Sequence, residues 1–147
     1  MTLGPTPSQT VGPFFAIGLP WAAGPEAVAA DAPGAIRIHG HVLDGAGEPV
    51  PDALLEVVQG VELGRVRTDE EGAFAFTVSP TSFLPLTVFA RGLLRHLNTR
   101  MYFPGVEDEV LASIDPGRRG TLIARREGEV LRFDIRLQGP GETVFFE

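Results

Sequence analysis

Three histidines and a set of arginines are the side chains with the most chemistry to offer. His39 and His41 stand two apart in an alternating segment, Ile36 to Val42, so both leave the same face of a strand. Such a pair could supply two metal ligands. Catalytic zinc and non-haem iron sites usually take three or more protein ligands, and no carboxylate stands at a diagnostic spacing beside this pair. Solvent-facing strand histidines are the simpler reading. Ser8, Ser79, Ser82 and Ser113 all lie outside any Gly-x-Ser-x-Gly elbow. The chain has no Cys and no Lys, which excludes thiolate catalysis, disulfides, Schiff-base lysine chemistry and a Walker-type phosphate loop. Glu70-Glu71 reads as turn charge, and Asp108 between Glu107 and Glu109 reads as a helix-start cluster. By residue inventory this chain alone lacks an obvious catalytic apparatus.

The elements that must carry these residues are short. With 147 residues, 44% of them apolar, the chain fits one folded domain. Eighteen Gly and 13 Pro point to many turns and few long helices. The formal charge of −7 argues against a nucleic-acid or anionic-membrane partner. No basic residue precedes Arg37, Gly18 and Pro20 interrupt the first apolar stretch, and no run approaches the roughly 18–20 apolar residues of a membrane span. The chain therefore reads as soluble and cytoplasmic.

Residues 1–34 form a Pro/Gly-rich N-terminal arm, with Phe14, Phe15, Ile17, Leu19 and Trp21 too apolar for a free tail. The arm is expected to pack on the core or on a partner subunit. From Ala35 onward the period is two. Strands are expected at Ile36–Val42, Leu54–Val58, around Phe74–Val78, at Leu86–Ala90, at Thr121–Arg125 and at Leu131–Leu137, the last two as a hairpin. Glu107–Ile114 predicts one short helix. The fold class is all-β: a single antiparallel β-sandwich over residues 35–147.

Three stretches, in order, carry a resemblance. They are Thr6-Pro7-Ser8-Gln9-Thr10-Val11-Gly12-Pro13-Phe14; Phe89-Ala90-Arg91-Gly92 with Thr99-Arg100-Met101-Tyr102-Phe103; and Arg132 to Gly139 with Gly141-Glu142-Thr143-Val144-Phe145-Phe146. Together they resemble the alpha subunits of protocatechuate 3,4-dioxygenases, in the intradiol ring-cleavage dioxygenase family. The resemblance implies a prealbumin-like β-sandwich and a beta subunit as partner. It implies iron(III), held by two Tyr and two His of that beta subunit and not by this chain. It also implies protocatechuate and O2 as reactants at a shared pocket, with a carboxy-muconate as product. Tyr102 is the only tyrosine, and Phe83-Leu84-Pro85 stands where the family's catalytic chain has His-x-His, so the iron site in this copy of the fold is expected to be empty. By the same resemblance Thr10, Pro13 and Phe14 on the arm line the shared pocket, and Arg91 stands near the substrate's carboxylate. Phe14 replaces an expected Tyr, keeping the ring and losing the hydroxyl. Two loops, after Gln59 and before Phe83, are shorter than in the family. A rival is the transthyretin-like or carboxypeptidase-regulatory-like binding module, which Gly40 to Phe76 also resembles. Such a module requires neither the arm nor the C-terminal tail.

Overall fold

In the computed structural model, which describes residues 3–147, the alternating segments become two facing sheets. One holds β1 (Ile36–Leu43), β4 (Ala73–Val78), β7 (Arg125–Glu127), β8 (Val130–Arg132) and β9 (Ile135–Arg136), in the order β4-β1-β8-β7 with β9 also on β1. The other holds β2 (Leu54–Gln59), β3 (Glu62–Arg67), β5 (Phe83–Phe89) and β6 (Leu97–Tyr102), in the order β3-β2-β5-β6. Ile38, Phe76 and Leu131 from the first sheet meet Leu55, Val57 and Val88 from the second in one buried core. Each such side chain contributes about 1.5–3 kcal/mol by leaving water.

The expected sandwich is present, and its first sheet is mixed. β8 and β9 run parallel to β1, pairing Ile38 with Leu131 and Val42 with Ile135. The strand expected as unbroken from Leu131 to Leu137 is split at Phe133 and Asp134. There the Phe133 amide donates to His39 O at 2.9 Å, and Asp134 Oδ1 accepts from the His41 amide at 3.1 Å. A carboxylate thus replaces a ladder carbonyl. Gly40 permits the approach, because a Cβ on it would lie 1.8 Å from Phe133 O.

The stretch expected as a strand at Thr121–Arg125 differs more. It begins as a 3₁₀ turn, Gly120–Leu122, and becomes β7 only at Arg125. Leu122 is fully buried against Tyr102, Leu111 and Val144 in a second small cluster, and burying it in that cluster favours a turn over an extended strand. The helix expected near Glu107–Ile114 is α1 (Glu109–Ser113), capped by Asp108, whose carboxylate accepts from the Leu111 amide at 2.7 Å. A second short helix, α2 (Pro116–Arg119), follows, with Asp115 as its cap and Pro116 in its first turn.

Both chain ends cover sheet edges. Along the arm, Gly24 O accepts from the Arg65 amide at 2.6 Å and Pro25 O from the Thr77 amide at 2.9 Å. These carbonyls satisfy the outer edges of β3 and β4, which would otherwise be open to pairing. At the other end the Phe146 amide donates to Asn98 O at 2.8 Å, along the outer edge of β6. Thr99 Oγ1 donates to Val144 O at 2.8 Å beside it.

Candidate functional site

The register of the second sheet assembles the most distinctive surface. Leu54 on β2 pairs with both Arg67 on β3 and Phe89 on β5. Two residues beyond this row, on the same face, the antiparallel register sets Asp52 opposite Arg91. Arg91 Nη2 lies 3.2 Å from Asp52 Oδ2, and Arg67 Nη2 pairs with the other oxygen, Oδ1. The Arg91 side chain is half exposed. Asp52 has φ +67°, the left-handed region that a non-glycine residue adopts at a cost. Its turn is locked from below by buried Thr68. The Thr68 hydroxyl donates to Val50 O at 2.8 Å and accepts from the Ala53 amide at 2.9 Å.

The arm closes on the same corner. The Gly92 amide, next to Arg91, donates to Thr10 Oγ1 at 2.7 Å. Gly92 has φ +90°, so the turn that presents Arg91 needs a residue without a Cβ. Thr10 and Arg91, 81 positions apart in the chain, are therefore neighbours. Pro13 and Phe14 lie in the next turn of the arm, where the Phe15 amide donates to Gly12 O at 3.2 Å. Both are exposed, Phe14 by 77%. Within this chain the Phe14 ring is largely open to solvent. Arg91, Gly92 and Leu93 border a cleft with Pro49, Val50 and Gln138. A half-exposed guanidinium held at one nitrogen and bordering a cleft can take a carboxylate. Reading the sequence residue by residue passed over Asp52, Arg67 and Thr68. The signal was the Pro51-Asp52 turn before one apolar strand and the Arg91-Gly92 turn after another, which only the pairing register connects.

The histidine pair lies on the outer face of the first sheet. His39 Nε2 is 3.3 Å from Glu127 Oε2, and His41 Nδ1 is 3.5 Å from Asp134 Oδ1. Asp134 also accepts from Arg132 Nε at 2.9 Å. Burial works against ionisation of Asp134, but Arg132 and the His41 amide outweigh it and hold the carboxyl below its ordinary range. Both imidazoles are half-buried, each beside one carboxylate.

Tyr102 is fully buried on the far side of the second sheet's backbone from the main core. Its hydroxyl lies 3.1 Å from both oxygens of Asp108, to which it donates, and accepts from Arg100 Nη1 at 3.4 Å. Burial pushes the phenol's pKa up; Arg100 opposes this and Asp108 reinforces it. The Arg100 guanidinium lies 4.4 Å from the centroid of the Phe83 ring and 5.3 Å from that of Phe146. Phe83, Arg100 and Phe146 thus pack together at the sheet position where the resemblance puts a His-x-His strand.

The solved structures that share this β-sandwich are ring-cleaving dioxygenases. The solved dioxygenase domain of a carbohydrate-binding fusion from Streptomyces sp. SirexAA-E superposes with a TM-score of 0.62 at 23% identity, over 93% of this chain and 100% of that one. Hydroxyquinol 1,2-dioxygenase from Pseudomonas putida DLL-E4 gives 0.59 at 21% identity, over 89% and 65%. The chain is 37% identical to the protocatechuate 3,4-dioxygenase alpha chain of Burkholderia cepacia, covering 99% of this chain and 98% of that one. It is 35% identical to the alpha chain of Pseudomonas putida, covering 97% and 96%. No family model matches the chain. It belongs to the family of protocatechuate 3,4-dioxygenase alpha chains. The first alignment runs over 194 positions although this chain has 147 residues, so this chain carries gaps within a match that spans nearly its whole length. That match includes the arm and the tail, which the generic binding module has no use for.

Intradiol dioxygenases are iron enzymes, and the donors in this chain do not fit such an iron. Hard phenolate and imidazole ligands suit ferric iron. The chain's one phenol is buried and hydrogen-bonded to Asp108 and Arg100. His39 and His41 stand on the outer face of the other sheet, and stacked sheets lie about 10 Å apart. His96 packs against the Phe89 ring, with centroids 5.6 Å apart. Among the described residues no three His, Asp or Glu side chains cluster as metal ligands would, and no helix is long and apolar enough to cross a membrane.

Proposed function

We propose that this chain is a subunit that binds no iron and completes the substrate pocket of an iron(III)-bearing beta subunit. In this reading the cytoplasmic assembly cleaves protocatechuate with O2 to 3-carboxy-cis,cis-muconate, and the chain alone is inactive. The observation that carries the reading is the junction of Thr10 with the Arg91–Gly92 turn at 2.7 Å. It brings the arm and the one arginine implied by the resemblance to a single exposed corner. Protocatechuate is a benzoate anion, and the Arg91 guanidinium can hold its carboxylate through charge-assisted hydrogen bonds. Thr10 keeps the turn in place. Pro13 and the exposed ring of Phe14 offer an apolar wall to the aromatic face of the substrate or to the partner around it.

The test is co-expression with the iron-bearing partner, followed by kinetics on protocatechuate and on uncharged catechol. Arg91→Ala should lower kcat/KM for protocatechuate by about tenfold or more, the scale of one charge-assisted hydrogen bond. Turnover of catechol should change far less. Equal losses on both substrates, or a partner fully active without this chain, would remove the reading.

A further inference from the structure

We infer that Arg67 and Asp52 set the charge Arg91 presents to an anionic substrate, and so act as positioning residues for carboxylate selectivity. This rests on the reading of Arg91 proposed above. Asp52 divides its two oxygens between two guanidinium groups, Oδ1 to Arg67 and Oδ2 to Arg91. One carboxylate between two arginines leaves a net charge of +1 at the corner. Without Arg67 the same carboxylate would neutralise Arg91, and an incoming benzoate would meet an ion pair rather than a cation. The geometry holds this balance firmly. Asp52 is set by a turn that Thr68 locks through two hydrogen bonds, and it keeps φ +67°. Local strain retained next to a binding corner is explained when the strained side chain has a task there. Asp44 borders the same cleft, but its Oδ1 accepts from the Ala46 and Glu48 amides at 2.8 and 2.9 Å, so it is a constant background.

Charge arithmetic makes the test sharp. In the complex assembled with the iron-bearing subunit, Arg67→Gln should raise the KM for protocatechuate by about three- to tenfold, the scale of a partly exposed charge pair. The KM for catechol should move less than about twofold. Arg67→Lys keeps the charge and should stay near wild type. Adding Asp52→Asn to Arg67→Gln leaves Arg91 as a lone cation and should restore the protocatechuate KM. Asp52→Asn alone should lower that KM or leave it unchanged. The proposal fails if Arg67→Gln affects both substrates alike, if the double variant is worse than the single, or if Asp52→Asn raises the KM. Arg91→Ala separates the two levels. If it discriminates between the substrates and Arg67→Gln does not, the charge balance falls and the Arg91 reading stands. If Arg91→Ala itself does not discriminate, the reading falls first.

Discussion

Tyr102 shows how a residue type that could ligate a metal is taken up by structure instead. Its phenol is buried, donates to Asp108, and stands beside Phe83 with ring centroids 5.5 Å apart. Asp108 meanwhile caps α1 through the Leu111 amide. One carboxylate therefore ties β6 to a helix N-terminus. Because burial raises the folded-state pKa above the ordinary 10.0, the unfolded chain loses this proton first. The stabilisation is complete below the ordinary value and is lost as pH rises through the folded one. As the only tyrosine, Tyr102 can be followed without ambiguity by tyrosinate absorbance. Its midpoint should lie above 10.0 in the native chain and return toward that value in denaturant. Tyr102→Phe should cost about 1–2 kcal/mol in urea unfolding at neutral pH, by leaving Asp108 short of a donor. It should also flatten the alkaline fall in stability.

At the level of elements, β1 is the spine of the first sheet. It pairs antiparallel with β4 on one side and parallel with β8 and then β9 on the other. The switch between the last two brings Phe133 O so close to Gly40 that a Cβ there would stand 1.8 Å from it. The obstacle is backbone, which no rotamer change relieves. Gly40→Ala should therefore destabilise by about 3 kcal/mol, at the upper end of overpacking costs, and chemical denaturation would measure it. Gly120→Ala, with nothing within 4 Å of the added methyl group, serves as the neutral comparison. The split at Phe133–Asp134 was invisible to pattern reading for a definite reason. Leu131, Phe133 and Ile135 all remain buried, so the alternation continues unbroken while the hydrogen-bond ladder does not. β1, β2 and β4, the turns between them, and α1 were legible because one face is apolar and caps or glycines mark the ends. Thr121–Arg125 was not, because burial of Leu122 in the small cluster around Tyr102 decides its conformation, and that cluster is assembled from distant segments. Thr10 and Arg91 could be picked out through a family resemblance. The Asp52–Arg91 pair depends on cross-strand register and the Thr10–Gly92 hydrogen bond on how the arm folds back, and residue types along the chain encode neither locally.

The molecule as a whole distributes its metal-capable donors so that they cannot converge. The histidine pair faces outward from one sheet, the phenol lies beyond the other, and a core of apolar side chains fills the space between. A ferric site would need Tyr102 to ionise against its burial and to abandon Asp108, and it would still lack a second phenolate. The third histidine is packed on Phe89 at the opposite end of β6 from Tyr102. At the same time Phe14 and Ile17 on the arm are 77% and 70% exposed, and Val61 at the tip of the β2–β3 hairpin is wholly so. Scattered apolar residues are ordinary on a surface, but a run of them on a segment already anchored by hydrogen bonds at Thr10 and Gly24 suits an interface. These two features together predict a division of labour that metal analysis can check. Purified alone, the chain should carry no stoichiometric iron and no reddish tyrosinate-to-iron absorption. Purified with an iron-bearing partner, it should yield a coloured complex whose iron content follows the partner. Substituting Tyr102→Phe in that complex should leave the colour unchanged, because the absorbing phenolates would belong to the other subunit. An isolated chain that binds iron and turns red, or a complex bleached by Tyr102→Phe, would mean that the buried phenol can reach a metal, and the packing around Asp108 and Arg100 would then have to open.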